Sequence, residues 1–177
     1  MQRPDVWNCT LLRRMNRSIR NGRTNCMGKP REELHPDMIS LLQGNTIVLL
    51  NVVNKQTERV YTTALSWVYA ITEKTVRFAI DAKSEFVSML ENDPNLVLTF
   101  IGVESVYAVN GKATVISWQT EGTTLKLAVL EVEVEEVRDI MFYGGKVVTE
   151  PAFIKTYNAE LAKKLDQEVK DVICIES

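Results

Sequence analysis

The chain has 177 residues, of which 45% are hydrophobic and 25% charged, with one histidine, three cysteines and a formal net charge of -2. A length of about 150 residues favours a single domain and allows a core that needs neither disulfides nor a structural metal, and a composition at the globular average excludes disordered and fibrous classes. The charge is unevenly placed, because residues 1–26 hold six arginines against Asp5 alone, leaving 15 basic and 22 acidic groups in residues 27–177.

An acidic body lacks the clustered cations that neutralise phosphates, so no nucleic-acid partner is expected. The longest apolar run, Ile47–Leu50 followed by Val52 and Val53, falls far short of the ~20 residues that span a bilayer, so no membrane partner is expected either. Cys9, Cys26 and Cys174 are widely spaced and form no C-x-x-C pair, which points to a reducing, cytoplasmic compartment and no metal site. The run Met27-Gly-Lys-Pro-Arg-Glu-Glu-Leu34 reads as a conventional start. Residues 1–26 are therefore expected to be a basic extension outside the fold, with a binding tail or a targeting peptide as the other readings, and residues 27–177 one domain.

In chain order, Leu34, Met38, Leu41 and Leu42 follow helical spacing and Gly44 ends the pattern, predicting a helix over about 32–43. His35 stands before Pro36 at the start of this helix, where it is either a cap or, as the lone imidazole, a ligand or base. Strand signals follow over Thr46–Val53, Arg59–Ile71 and Thr75–Ile80, the last two joined by a hairpin loop at Thr72-Glu-Lys74. Ser84 can cap a two-turn helix whose Phe86, Val87, Met89 and Leu90 share one face, and Asp93-Pro94 stops it.

Asn95–Val103, Glu104–Trp118 and Thr123–Asp139 read as long strands, with a turn at Gln119-Thr-Glu-Gly122. Asn110-Gly111 is either a hairpin tip or a bulge inside one strand. Glu131, Glu133 and Glu135 alternate with Val132 and Val134, the pattern of a strand with one solvated face. Pro151 is expected to open a last helix carrying Ile154, Tyr157, Leu161 and Leu165, supported by Glu160 with Lys163 and Lys164. About six strands without β-α-β alternation predict a mainly β fold: an antiparallel barrel with peripheral helices.

Motifs for side-chain catalysis are absent: there is no Walker A, G-x-G-x-x-G, H-E-x-x-H or G-x-S-x-G sequence. Two segments stand out instead. Arg59-Val-Tyr-Thr-Thr-Ala-Leu-Ser-Trp67 crowds a cation, hydroxyls and aromatics into one strand. Asp81-Ala-Lys-Ser84 offers an ammonium, a hydroxyl and backbone N–H groups at a helix start, a setting that suits a phosphate. Together they suggest a phosphorylated ligand with a flat polar head group.

The order of these segments over about 32–142 resembles the FMN-binding split barrel family typified by pyridoxamine 5′-phosphate oxidase. The residues that carry the resemblance are the helix ending at Gly44, the strand through Thr62, Thr63 and Trp67, Phe78–Ser84, Met89-Leu-Glu-Asn-Asp-Pro94, Val97-Leu-Thr-Phe100 and Val109-Asn-Gly-Lys-Ala113. The resemblance implies a six-stranded antiparallel split β-barrel, a homodimer with FMN at the interface, and a small-molecule redox substrate. It also places Asn110-Gly111 inside a long strand. Carried over, Lys83 and Ser84 would contact the FMN phosphate with Arg59 a further cation, and Thr62, Thr63 and Ala64 would line the isoalloxazine ring, with Ile80 and Asp81 at the end of the next strand. Glu85 and Phe86 stand where the oxidase has Arg-Lys, Val106 where it has glutamine, and its C-terminal tryptophan and arginine have no clear match. The implied activity is thus a flavin-dependent oxidoreductase with a different substrate, or a non-catalytic flavin-binding dimer.

Overall fold

The computed structural model describes residues 29–118 and 123–174. The expected extension over 1–26 and the turn at 119–122 lie outside the described residues.

The helix α1 covers Pro36–Leu41, shorter than the 32–43 read from spacing, because His35 caps it and Leu42 already leaves helical geometry. Its cap is the histidine ring itself: Nδ1 of His35 accepts from the Asp37 N–H at 3.3 Å. The strands are β1 (Val48–Asn54), β2 (Arg59–Leu65), β3 (Val68–Ala70), β4 (Thr75–Asp81), β5 (Asn95–Gly102), β6 (Ser105–Trp118) and β7 (Leu127–Asp139), with α2 (Glu85–Asn92) between β4 and β5. All pair antiparallel in one sheet of order β2-β1-β5-β6-β7-β4-β3.

The two edges of this sheet are consecutive in sequence. The predicted strand over Arg59–Ile71 breaks at Ser66-Trp67, so its first half pairs with β1 and its second with β4. The sheet is therefore curled into a barrel, and the seven strands are the predicted six with one divided. The Trp67 carbonyl accepts the Ala79 N–H at 3.1 Å. Upstream of that bond β2 leaves β4, and the barrel is split.

Alternation fills the inside. Val48, Leu50 and Val52 of β1 point inward with Leu96, Leu98 and Phe100 of β5 and Leu130, Val132 and Val134 of β7. The helix α2, capped by Ser84 and ended by Asp93, adds Phe86, Val87, Met89 and Leu90 to the same core. Each such side chain contributes roughly 1.5–3 kcal/mol of burial.

Where the strands stop alternating, the outside is covered too. Val68–Ala70, Val76–Ala79 and Leu127–Leu130 are buried continuously, and a second apolar cluster joins Tyr69, Ala79, Leu127 and Val129 to Val169 and Ile173 of α3 (Ala159–Ile173). Inside this patch Arg77 is only 7% exposed. Its Nε donates to Glu131 at 2.7 Å and its Nη1 to the Ile173 carbonyl at 3.0 Å, placing a cation at the negative end of α3.

The last helix corrects the sequence reading. Pro151 does not open it; Asn158 does, its side chain accepting from the N–H groups of Glu160 and Leu161. The buried stripe is Ala162, Leu165, Val169 and Ile173, while Ile154 lies in an extended strap and is 86% exposed. The ion pair on this helix joins Lys164 to Glu168 rather than to Glu160.

Asn110-Gly111 lies within β6, at a bulge: Asn110 pairs with Glu136 and Gly111 with Val134, leaving Glu135 as the extra residue. A Cβ on Gly111 would stand 2.4 Å from the Glu133 carbonyl oxygen, so the close approach needs glycine.

Candidate functional site

Counting back along β2 and forward along β4 from the Trp67–Ala79 bond, Thr62, Thr63 and Ala64 form one lip of the split and Ile80, Asp81 and Lys83 the other. On the first lip β2 is an edge strand over its whole length, bonded among the described residues only to β1, which leaves its outer row of backbone N–H and C=O groups open to them. Thr62 and Ala64 face outward. The Thr62 hydroxyl donates to Asn51 Oδ1 at 2.9 Å, and the Asn51 amide donates in turn to the Val97 carbonyl at 3.1 Å. Thr63 and Arg59 share the opposite face, opposite Leu50 and Asn54. Four residues at 3.3 Å each put Arg59 roughly 13 Å along the strand from Thr63, so it sits at the far end of the same lip.

The second lip is a tight turn. The Ser84 N–H donates to the Asp81 carbonyl at 2.9 Å, and the Lys83 N–H to Asp81 Oδ1 at 2.7 Å. Ser84 Oγ accepts from the Phe86 N–H at 3.4 Å as the cap of α2, and the Ala82 N–H is tied to the Lys126 carbonyl at 3.1 Å. Lys83 is exposed and makes no ion pair among the described residues. Ile80 is half-buried against the core, so it meets the split with its backbone.

The positions that depart from the oxidase pattern differ in consequence. Phe86 is buried in the core and faces away from the turn, whereas Glu85 is exposed in the first turn of α2. Val106 pairs with Ile101 at the far end of β5 and β6.

Two clefts were not read from the sequence. One, of about 400 Å3, lies between the end of β2 and the strap, with Ala64, Ser66 and Trp67 on one side and Phe153, Lys155 and Tyr157 on the other. The Trp67 Nε1 donates to Asp166 Oδ1 at 2.7 Å, and the Lys155 ammonium pairs with the same oxygen while lying 5.3 Å from the Trp67 ring centroid. Reading 151–158 as helix hid this wall; Asn158 two residues before Glu160 was the available signal for a later start. The other, of about 290 Å3, is a groove on the outer sheet face between Asn51, Val53, Val60, Val97, Asn110 and Glu135.

Among the described residues no group of three or more His, Cys, Asp or Glu is placed to hold a metal ion, and no helix is long and apolar enough to cross a membrane. Burial pushes the Tyr69 phenol up to about 12, with Cys174 and Asp166 adding in the same direction. Tyr69 packs under α3 and away from the split.

A candidate pyridoxamine 5′-phosphate oxidase from Lactobacillus delbrueckii superposes with a TM-score of 0.51 at 14% identity, over 60% of this chain and 94% of that one. The chain has the fold of the pyridoxamine 5′-phosphate oxidase-like split barrels. HupZ of Group A Streptococcus superposes on the split barrel with a TM-score of 0.50 at 14% identity, over 66% of this chain and 100% of its own. No family model matches the sequence, and no curated protein does.

Proposed function

We propose that the split barrel binds FMN along the open edge of β2 and serves as a flavin-dependent oxidoreductase acting on a small molecule in the cytoplasm. The observation that carries this reading is the opposition, across the split, of a strand edge and a helix-capping turn bearing Lys83, neither of which has a partner for its outer edge or its charge among the described residues. The donor set suits the cofactor: Lys83, the Ser84 hydroxyl and the α2 N-terminus for the phosphate, with Arg59 as the outlying cation. Thr62, Thr63 and Ala64, with the backbone at Ile80 and Asp81, would flank a flat ring that itself has hydrogen-bonding edges. When bound, the flavin supplies the hydride or electron transfer, while these residues hold and orient it.

The homodimer belongs to the same reading. Leu49, Val53, Val60 and Ile101 are exposed on the outer face of β1, β2 and β5, on either side of the Asn51–Thr62 pair, and would offer apolar area to a second copy.

The test is the visible spectrum of the purified protein and of its released cofactor, followed by thermal melting with added FMN. Flavin bands, or a rise in melting temperature, are expected; colourless protein whose melting is indifferent to FMN overturns the proposal. One observation favours a second reading, a non-catalytic flavin-binding dimer: Asp81 already takes the Lys83 N–H, and Glu85 adds another carboxylate beside the phosphate site. Flavin retained without turnover by any nicotinamide donor would decide for it.

A further inference from the structure

The cleft beneath the strap has a chemistry that the flavin reading does not use. Of the residues lining it, Lys155 alone is charged, and that charge is matched by Asp166, whose carboxylate also holds the Trp67 indole. The Lys155 side chain is 17% exposed, its ammonium set against the Trp67 ring. A cation fixed in this way leaves the cleft electrically neutral, and an anionic or cationic guest would be desolvated there without a free partner. The walls are flat and aromatic, from Trp67, Phe153 and Tyr157. The hydroxyls of Ser66 and Tyr157, one on each wall and bonded to nothing among the described residues, supply uncharged hydrogen-bonding groups.

We propose that this cleft binds an uncharged, planar aromatic molecule of about two fused rings that carries a neutral hydrogen-bonding group. Its volume of about 400 Å3 lies in the range of small-molecule sites. Its role as a substrate pocket rests on the flavin reading, since Ala64 borders both the cleft and the lip assigned to the ring. Binding itself does not depend on that reading.

The probes are 2-naphthol and 2-naphthoate, a neutral and an anionic molecule of nearly the same shape, titrated calorimetrically into the full chain at neutral pH with and without saturating FMN. The wild type is expected to bind one naphthol per chain and to bind the naphthoate at least about tenfold more weakly. Asp166→Asn uncovers the Lys155 charge while keeping a hydrogen-bond acceptor for Trp67, and is expected to improve naphthoate binding about tenfold with naphthol unchanged. Should that variant fold poorly, Lys155→Met provides the converse, since it keeps naphthol binding and leaves the naphthoate excluded. No naphthol binding, equal affinity for both probes, or an Asp166→Asn variant that folds and leaves the ratio unchanged overturns the proposal. Displacement of naphthol by FMN also overturns it, because the cleft would then belong to the flavin. Naphthol binding to a chain that takes up no FMN leaves the cleft standing and removes the flavin reading alone.

Discussion

Single residues set how tightly the proposed phosphate site can hold its anion. Glu85, exposed in the first turn of α2, complements the positive end of that helix and so stabilises the fold by roughly 0.3–1 kcal/mol. The same carboxylate opposes a phosphate at the same place. Glu85→Arg is therefore expected to raise FMN affinity about tenfold while lowering thermal stability slightly, effects of about 1.4 kcal/mol and under 1 kcal/mol; a flavin titration and a thermal melt on one sample separate them. Asp93 acts on stability by another route. The Lys55 ammonium, 2.9 Å away, holds its carboxyl below the ordinary carboxylate range, and the Asn95 amide and backbone N–H add to this. A carboxyl depressed in the folded state stabilises it above the unfolded value and loses that contribution as pH falls through the folded value. Acid denaturation of the wild type should accordingly steepen below about pH 4, and Asp93→Asn should flatten that part of the stability curve while lowering stability at neutral pH. At this scale Gly111 was half legible. The dipeptide Asn110-Gly111 signals a turn or a bulge equally, and the doubling of Glu135-Glu136 in an otherwise alternating strand is the second sign that favours the bulge.

Elements were legible where burial follows one period. The two-turn α2 was readable from its Ser84 cap, its four apolar residues and Asp93-Pro94, because local chemistry and packing agree there. The strap over 151–158 was not, since an apolar segment that starts with proline resembles a helix until a later cap is weighed. The β5–β6 hairpin shows local strain that no sequence pattern announced. Its turn residues Val103 and Glu104 both have positive φ, 49° and 63°, a conformation that costs a β-branched residue about 1–2 kcal/mol. The chain from 146 to 150 clamps this turn. The Val147 N–H donates to the Glu104 carbonyl at 2.8 Å and the Val103 N–H to Glu150 Oε1 at 3.0 Å, and Lys146 pairs with Glu104. Replacing Val103 with Asn and Glu104 with Gly, the pair that this turn favours, should raise stability by about 1 kcal/mol, read as a higher urea midpoint with unchanged slope.

For the whole molecule, about six strand signals in succession and the absence of β-α-β alternation were enough to predict an antiparallel barrel. They could not show that one run of chain serves both edges, because the break at Ser66-Trp67 lies within a continuous stretch of strand-forming residues. Assembly is tested on the same sheet. Val60 is 68% exposed on β2 and pairs with Val53, also exposed. Val60→Asp is expected to convert a dimer to a folded monomer in sedimentation with little change in circular dichroism, since the side chain leaves no cavity behind. A variant that stays dimeric would show that this face is not the interface.

The break that splits the barrel also leaves Arg59–Leu65 without a neighbour on one side among the described residues. Seven strand-forming residues in that state are a template on which another chain can add a strand, the first step of aggregation. An occupant of that edge, whether the proposed cofactor or a second copy, would shield the protein from its own kind, so that ligand binding and resistance to aggregation would rise together.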